Sequence, residues 1–218
     1  MSHTKTLVAI AALALSGVAS AGNTDITLIS ADPVPQVFGN VTFNGGVSSG
    51  PAASLEYILH STAPLGTFAA FCLEPFEHLS FPWTYSNTGA FTQQQRDSLS
   101  KLFTGANWQS WNSGSDGVDT DAERAGLAYA VWDIMLDGTF NLGSGNFRVL
   151  DDGFSGAGVA FASASYAAGN TSLGDKLIRL TDPTKQDLVI AVPEPTTYAL
   201  MMAGLLCVGF MARRRRGQ

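Results

Sequence analysis

The feature that most limits what this chain can fold into is its pair of apolar ends, which leave only a central stretch to build a core in water. At the C-terminus, Thr196 to Ala212 is uncharged and mostly apolar, and Arg213, Arg214, Arg215 and Arg216 follow directly. A helix over those 17 residues reaches about 25 Å, a little short of a roughly 30 Å hydrocarbon core. Arginine side chains make up the difference by reaching to the headgroups. Leu200, Leu205, Leu206, Val208 and Phe210 each favour insertion by only about 0.3–0.6 kcal/mol, so the expected transmembrane helix is marginal and suits a temporary hold. The arginines orient it with the C-terminus in the cytoplasm. At the other end Lys5 precedes the apolar run Leu7 to Leu15, and Ala19-Ser20-Ala21 is a small-residue cleavage pattern. Residues 1–21 therefore read as a signal peptide cleaved after Ala21.

Between core and span stands Val192-Pro193-Glu194-Pro195. Its prolines cannot continue a helix, and they bias Val192 and Glu194 towards extended backbone, the conformation in which a protease binds its substrate. This motif, a short apolar helix and a terminal arginine cluster, in that order, resemble the sorting signal of the PEP-CTERM proteins. The resemblance covers about the last 26 residues. It implies that an exosortase, a membrane-embedded cysteine protease, processes the tail and releases or transfers the protein. The expected partners of the tail are thus exosortase and the membrane, both transient. The expected course is an inner-membrane-tethered precursor, then the cell envelope or the extracellular space. The plainer alternative is an ordinary C-terminal anchor that happens to follow a proline pair.

The remaining residues, 22–191, suffice for one domain with its own core. They carry seven lysines and arginines against 17 acids, a net charge of −10 that the whole-chain value of −6 conceals. Such acidity argues against nucleic acid and anionic lipid as partners. Cys207 lies in the tail, so the domain keeps only Cys72 and no intramolecular disulfide is available despite export. No phosphate-binding glycine loop and no serine nucleophile elbow occurs, and no cofactor is expected.

Turn residues and apolar patterning predict strands at Asp25 to Ser30, Gln36 to Phe43, Ser54 to His60 and Gly66 to Glu74. Thr92 with Gln95 and Thr120 with Glu123 each form a capping box, and Gly105 and Gly138 are placed to stop the two helices. Leu127, Val131 and Met135 supply a helical stripe, with Ala128 and Trp132 beside it. A third helix is expected over Gly158 to Ala168, then strands at Leu177 to Thr181 and Asp187 to Val192 joined around Asp182-Pro183. The order predicts an α+β fold: an antiparallel sheet or sandwich-like domain with about three helices, plus the C-terminal transmembrane helix.

Phe71-Cys72-Leu73-Glu74 and Ala125 to Met135, with Ala130-Val131-Trp132 inside it, resemble the thioester domains of bacterial surface adhesins. Those domains bond a cysteine thiol to a glutamine four residues before the tryptophan. Here that position is Ala128, whose methyl offers no carbonyl carbon to acylate, and Gln93, Gln94, Gln95 or Gln109 would have to substitute. The plainer reading makes Cys72 a small buried hydrophobe packed near Trp132.

Three further groupings invite chemistry. Asn112 to Glu123 can be counted as a 12-residue calcium loop with Asp116, Gly117 and Glu123 at positions 5, 6 and 12, but Asn112 and Gly114 are weak or absent ligands. Its alternative is a solvated turn leading into the capping box. Glu74, Glu77 and His78 resemble part of a zinc motif lacking its first histidine, with His60 the other histidine available. Trp83, Tyr85, Trp108 and Trp111 stand in Ser/Asn-rich surroundings suited to carbohydrate, although tryptophan is more often core. Three functions follow in order. The first is a non-enzymatic, structural or adhesive protein of the cell surface, extracellular matrix or biofilm, with extracellular polysaccharide as a candidate partner. The second is a secreted glycan- or calcium-binding module. The third is a hydrolase using Glu74, Glu77 or His78.

Overall fold

A computed structural model describes residues 25–32, 38–43, 46–53, 56–62, 65–75, 77–110 and 117–191. The signal-peptide region, the sorting tail from Val192 onward, and Trp111 to Asp116 lie outside the described residues.

The chain opens with β1 (Ile26–Ala31), β2 (Phe38–Phe43), β3 (Gly46–Ala53), β4 (Glu56–Ser61), β5 (Thr67–Cys72) and β6 (Trp83–Gly89). Two helices follow, α1 (Gln93–Gly105) and α2 (Asp121–Asp137), then β7 (Phe147–Asp151) and α3 (Ala157–Ala168). A 3₁₀ turn at Gly174–Lys176 leads to β8 (Leu177–Asp182) and β9 (Lys185–Ala191). Six strands close into a barrel in the order β1-β4-β5-β9-β8-β6, and β3-β2-β7 form a separate three-stranded sheet. Every strand pair is antiparallel. The expected antiparallel sheet or sandwich takes the form of a closed barrel with a separate three-stranded sheet. Closure depends on β6, which pairs with β1 on one side and β8 on the other. Its sequence WTYSNTG buries only Tyr85, so it shows almost none of the apolar alternation that marks a strand.

β5 explains how barrel and helices share one core. Its side chains alternate between faces, with Phe68, Ala70 and Cys72 in the barrel interior beside Leu28, Leu59, Tyr85, Leu180 and Ile190. Ala69, Phe71 and Leu73 face outward and join the helices and the small sheet in a second, larger cluster. Burial on both faces is why this strand reads as a continuous apolar run.

Both predicted capping boxes form, at Thr92 with Gln95 and Thr120 with Glu123, and Gly138 ends α2 in the left-handed conformation. α2 is buried all round from Ala125 to Ile134 rather than along one stripe, because it is packed between the barrel wall, α3 and the small sheet. Gly105 does not stop α1 but belongs to it: a Cβ there would lie 1.8 Å from the Ser165 carbonyl oxygen of α3. Gly126 of α2 likewise meets the Gly158 carbonyl. The two glycines let α3 lie backbone-to-backbone against both other helices. Among the described residues no helix is long and apolar enough to cross a membrane; the expected span at 196–212 lies outside them.

Two carboxylates organise the loops around α3. Asp152 accepts N–H bonds from Phe154, Gly156 and Val159 at 2.9, 2.8 and 3.1 Å. It thereby caps a helix whose own N-cap residue, Gly156, offers no side chain. Burial by itself raises its pKa, but these backbone donors hold the carboxyl below the usual range. Gly153 and Gly156, both with positive φ, shape the turn around it. Asp133, fully buried in α2, accepts the Asn141 N–H, and its second oxygen has no hydrogen-bond partner among the described residues. Burial first, and then the neighbouring Asp137, push its pKa up to about 7.

Candidate functional site

The Cys72 landmark resolves against thioester chemistry. The Cys72 side chain lies in the barrel interior, while Trp132 and Ala128 belong to the cluster on the opposite face of β5. Trp132 reaches the cysteine only through its backbone, donating its indole N–H to the Cys72 carbonyl at 3.0 Å. The thiol instead meets the Tyr57 hydroxyl, and burial pushes its pKa well up, the opposite of an activated nucleophile. Gln95 is committed to its cap and to the Met135 carbonyl, and Gln93 to Asp97. The thioester-adhesin resemblance is therefore not supported. Cys72 is a small buried hydrophobe as expected, but its side chain and Trp132 are separated by the strand.

The two ends of β9 frame the functional question. At its C-terminal end β5 and β9 pair only at Phe71–Val189 and Cys72–Leu188. Beyond that Ser110 stands between them: its carbonyl accepts the Ala69 N–H at 2.6 Å, and its hydroxyl oxygen accepts the Ala191 N–H at 2.8 Å. The last barrel residue is thus buried and clamped by a side chain that the sequence did not single out. Nearby, Glu56 is buried and accepts the Trp108 indole N–H at 2.6 Å and Arg124 Nε at 3.1 Å. Trp108, a candidate carbohydrate platform in the sequence, is 1% exposed and packs with tilted rings against Phe71 and Phe103. It belongs to the core. Tyr85 is buried inside the barrel, and Trp111 lies outside the described residues.

The other groupings disperse. Glu123 Oε2 accepts the Asp119 and Thr120 N–H groups at 2.9 and 2.8 Å, so it serves the helix cap. Asn112 to Asp116 of the calcium loop lie outside the described residues. Glu74 stands beside Arg179 and Asp187; Arg179 donates Nε and Nη2 to Asp187 at 2.9 and 2.7 Å. Burial, then the Asp187 charge, raises the Glu74 pKa. Glu77 and His78 are exposed, and His60 is engaged by Asp32 and Thr67 at 2.8 and 3.0 Å. Among the described residues no group of three or more His, Cys, Asp or Glu is arranged to hold a metal ion.

At the N-terminal end of β9 lies a different surface. Trp83, 37% exposed, has Lys185 Nζ 4.7 Å from its ring centroid. The neighbouring Trp83 indole first of all, and then the Thr184 donors, hold the Asp182 carboxyl below the usual range. Thr27, Pro82, Trp83, Thr84 and Asp182 line a groove of about 410 Å³.

Residues 191–216 match the PEP-CTERM protein-sorting motif. The matched segment thus begins on the last residue of β9, and it contains Val192, Pro193, Glu194, Pro195 and the arginines Arg213 to Arg216. The motif implies an exported protein recognised by exosortase and processed at the membrane. No curated protein and no solved structure matches the chain.

Proposed function

We propose that this is a non-catalytic exported protein with a structural or adhesive role at the cell surface or in the extracellular matrix. Exosortase removes its sorting tail once the ectodomain is outside. The observation that carries the reading is the junction at Ala191, where the sorting motif begins on a residue still bound into the barrel. A cut within Val192 to Pro195 lies beyond the last strand and leaves every barrel pairing in place. The domain can therefore outlast its tail. The buried Cys72 and the capped or ion-paired carboxylates Glu123 and Asp187 favour a structural over a hydrolytic role.

Intact mass spectrometry of the protein from its native cells tests this. The expected mature form lacks both residues 1–21 and Arg213 to Arg216. A mature pool that keeps the arginine cluster would refute exosortase processing. A hydrolytic activity that disappears in Glu77→Ala would overturn the non-catalytic part of the reading.

A further inference from the structure

We propose that the groove around Trp83 is a binding subsite for a neutral, hydroxyl-rich polysaccharide, with the indole as stacking platform and Thr27, Thr84 and Asp182 as its polar rim. The inference rests on the reading above, that the mature protein works outside the cell at a surface or in a matrix. It adds the ligand class and the residues.

Of the three tryptophans described, Trp108 and Trp132 are buried and Trp83 alone presents its ring to solvent. Leaving an indole in water forgoes its burial energy, so an exposed ring held rigidly is a feature with a use. Trp83 is held in place on two counts: its backbone pairs with Leu28 of β1, and the Lys185 ammonium sits over the ring. Little side-chain freedom remains to be lost when a ligand stacks on it.

The rest of the groove is chemically mixed. Its volume of about 410 Å³ falls in the range of roughly 300–1,000 Å³ for small-ligand sites. Thr27 and Thr84 face each other across strands β1 and β6, their hydroxyls 2.9 Å apart. Each hydroxyl keeps bonding capacity beyond that one contact. The Asp182 carboxylate accepts the Thr184 N–H and hydroxyl, both at 2.8 Å, on one oxygen. An ionised carboxylate has lone pairs to offer ligand hydroxyls as well. A pyranose presents the matching pair of surfaces: an apolar C–H face for the indole and a rim of hydroxyls.

Two observations exclude competing ligand classes. A peptide adding as an extra strand needs an unpaired sheet edge, and the barrel is closed with β1 and β6 each paired on both sides. A polyanion would meet a domain of net charge −10 over residues 22–191. Position also fits. Lys185 and Ala191 are the first and last residues of β9, so about 20 Å of strand separates the groove from the tail exit. The groove stays open before and after tail processing.

The test uses full-length protein in detergent micelles, titrated by calorimetry and tryptophan fluorescence. The probes are the hexaoses of β-1,4-glucan, α-1,4-glucan and mannan, with oligogalacturonate as the anionic control. At least one neutral hexaose is expected to bind and the oligogalacturonate to bind more weakly. Trp83→Ala should weaken binding by about tenfold or more, and Thr84→Val, exposed and nearly isosteric, by about threefold. Circular dichroism shows whether Trp83→Ala keeps the fold, and Thr84→Val keeps the test informative if it does not. Silence with all three neutral hexaoses, tighter binding of the uronate, or affinity unchanged in both variants would each overturn the proposal. Tail processing, read by intact mass on the same variants, reports separately on the sorting reading.

Discussion

Replacing Asp133 by asparagine should make the protein more stable at neutral pH and remove much of its pH dependence. Asp133 is fully buried in α2, one oxygen holds the Asn141 N–H, and the other has no partner among the described residues. Its pKa is raised from 3.8 to about 7, by burial first and by Asp137 one helical turn on. In the unfolded chain the carboxyl ionises near 3.8, so above that pH the folded state binds more protons than the unfolded one. The favourable contribution is complete below pH 3.8 and is lost steadily as pH rises towards 7. At about 1.36 kcal/mol per pKa unit, the full loss is on the order of 4 kcal/mol. In Asp133→Asn the amide oxygen still accepts the Asn141 N–H, and no charge remains to be buried beside Asp137 at any pH. Urea unfolding followed by tryptophan fluorescence at pH 5 to 8 measures the difference between the two proteins, which cancels the other titrating groups. With a slope near 2 kcal/mol per molar urea, the midpoints should diverge by about 2 M by pH 8. Parallel midpoints across that range would show that Asp133 is not held neutral in the fold.

Three other perturbations follow from the same structure. Trp108→Ala empties a site among Phe71 and Phe103 and leaves Glu56 short of a donor; it should cost about 3–5 kcal/mol by urea unfolding, while a surface tryptophan would give almost no change. Asp152→Ala removes the cap of α3 and should cost roughly 2–3 kcal/mol at neutral pH. Because the Asp152 pKa is lowered, that cost should shrink as pH falls through the ordinary carboxylate range and below it. Ser110→Ala strips the acceptor from the buried Ala191 N–H, so hydrogen exchange at Ala191 should speed up markedly while exchange at Leu188 stays slow; equal protection in both proteins would mean the clamp is not formed.

Much of the local structure was legible because its causes are local. Thr92 with Gln95, Thr120 with Glu123, and Gly138 each act within one helical turn, and all three behave as their spacing requires. The sorting segment was legible for a related reason, since proline stiffness, apolar length and an arginine cluster act through composition and order alone. Gly105 was misread because its role depends on the Ser165 carbonyl of another helix. β6 was missed because a barrel strand with one buried side chain, Tyr85, carries little alternation.

What the sequence by itself determined is a signal for export and processing at the membrane, and where the two capped helices begin. Only the tertiary structure decided which face each residue serves. Closing β6 between β1 and β8 turned a sheet into a barrel, and β5 came to be buried on both sides. That placed the Cys72 thiol inside the barrel and Trp132 outside it. Trp108 packs on the outer face of β5 against Phe71 and Phe103, while Trp83 stands beside the turn of the β8–β9 hairpin. Two tryptophans in similar Ser/Asn-rich surroundings were given opposite fates, because exposure is set by which elements pack together in space and not by neighbours along the chain.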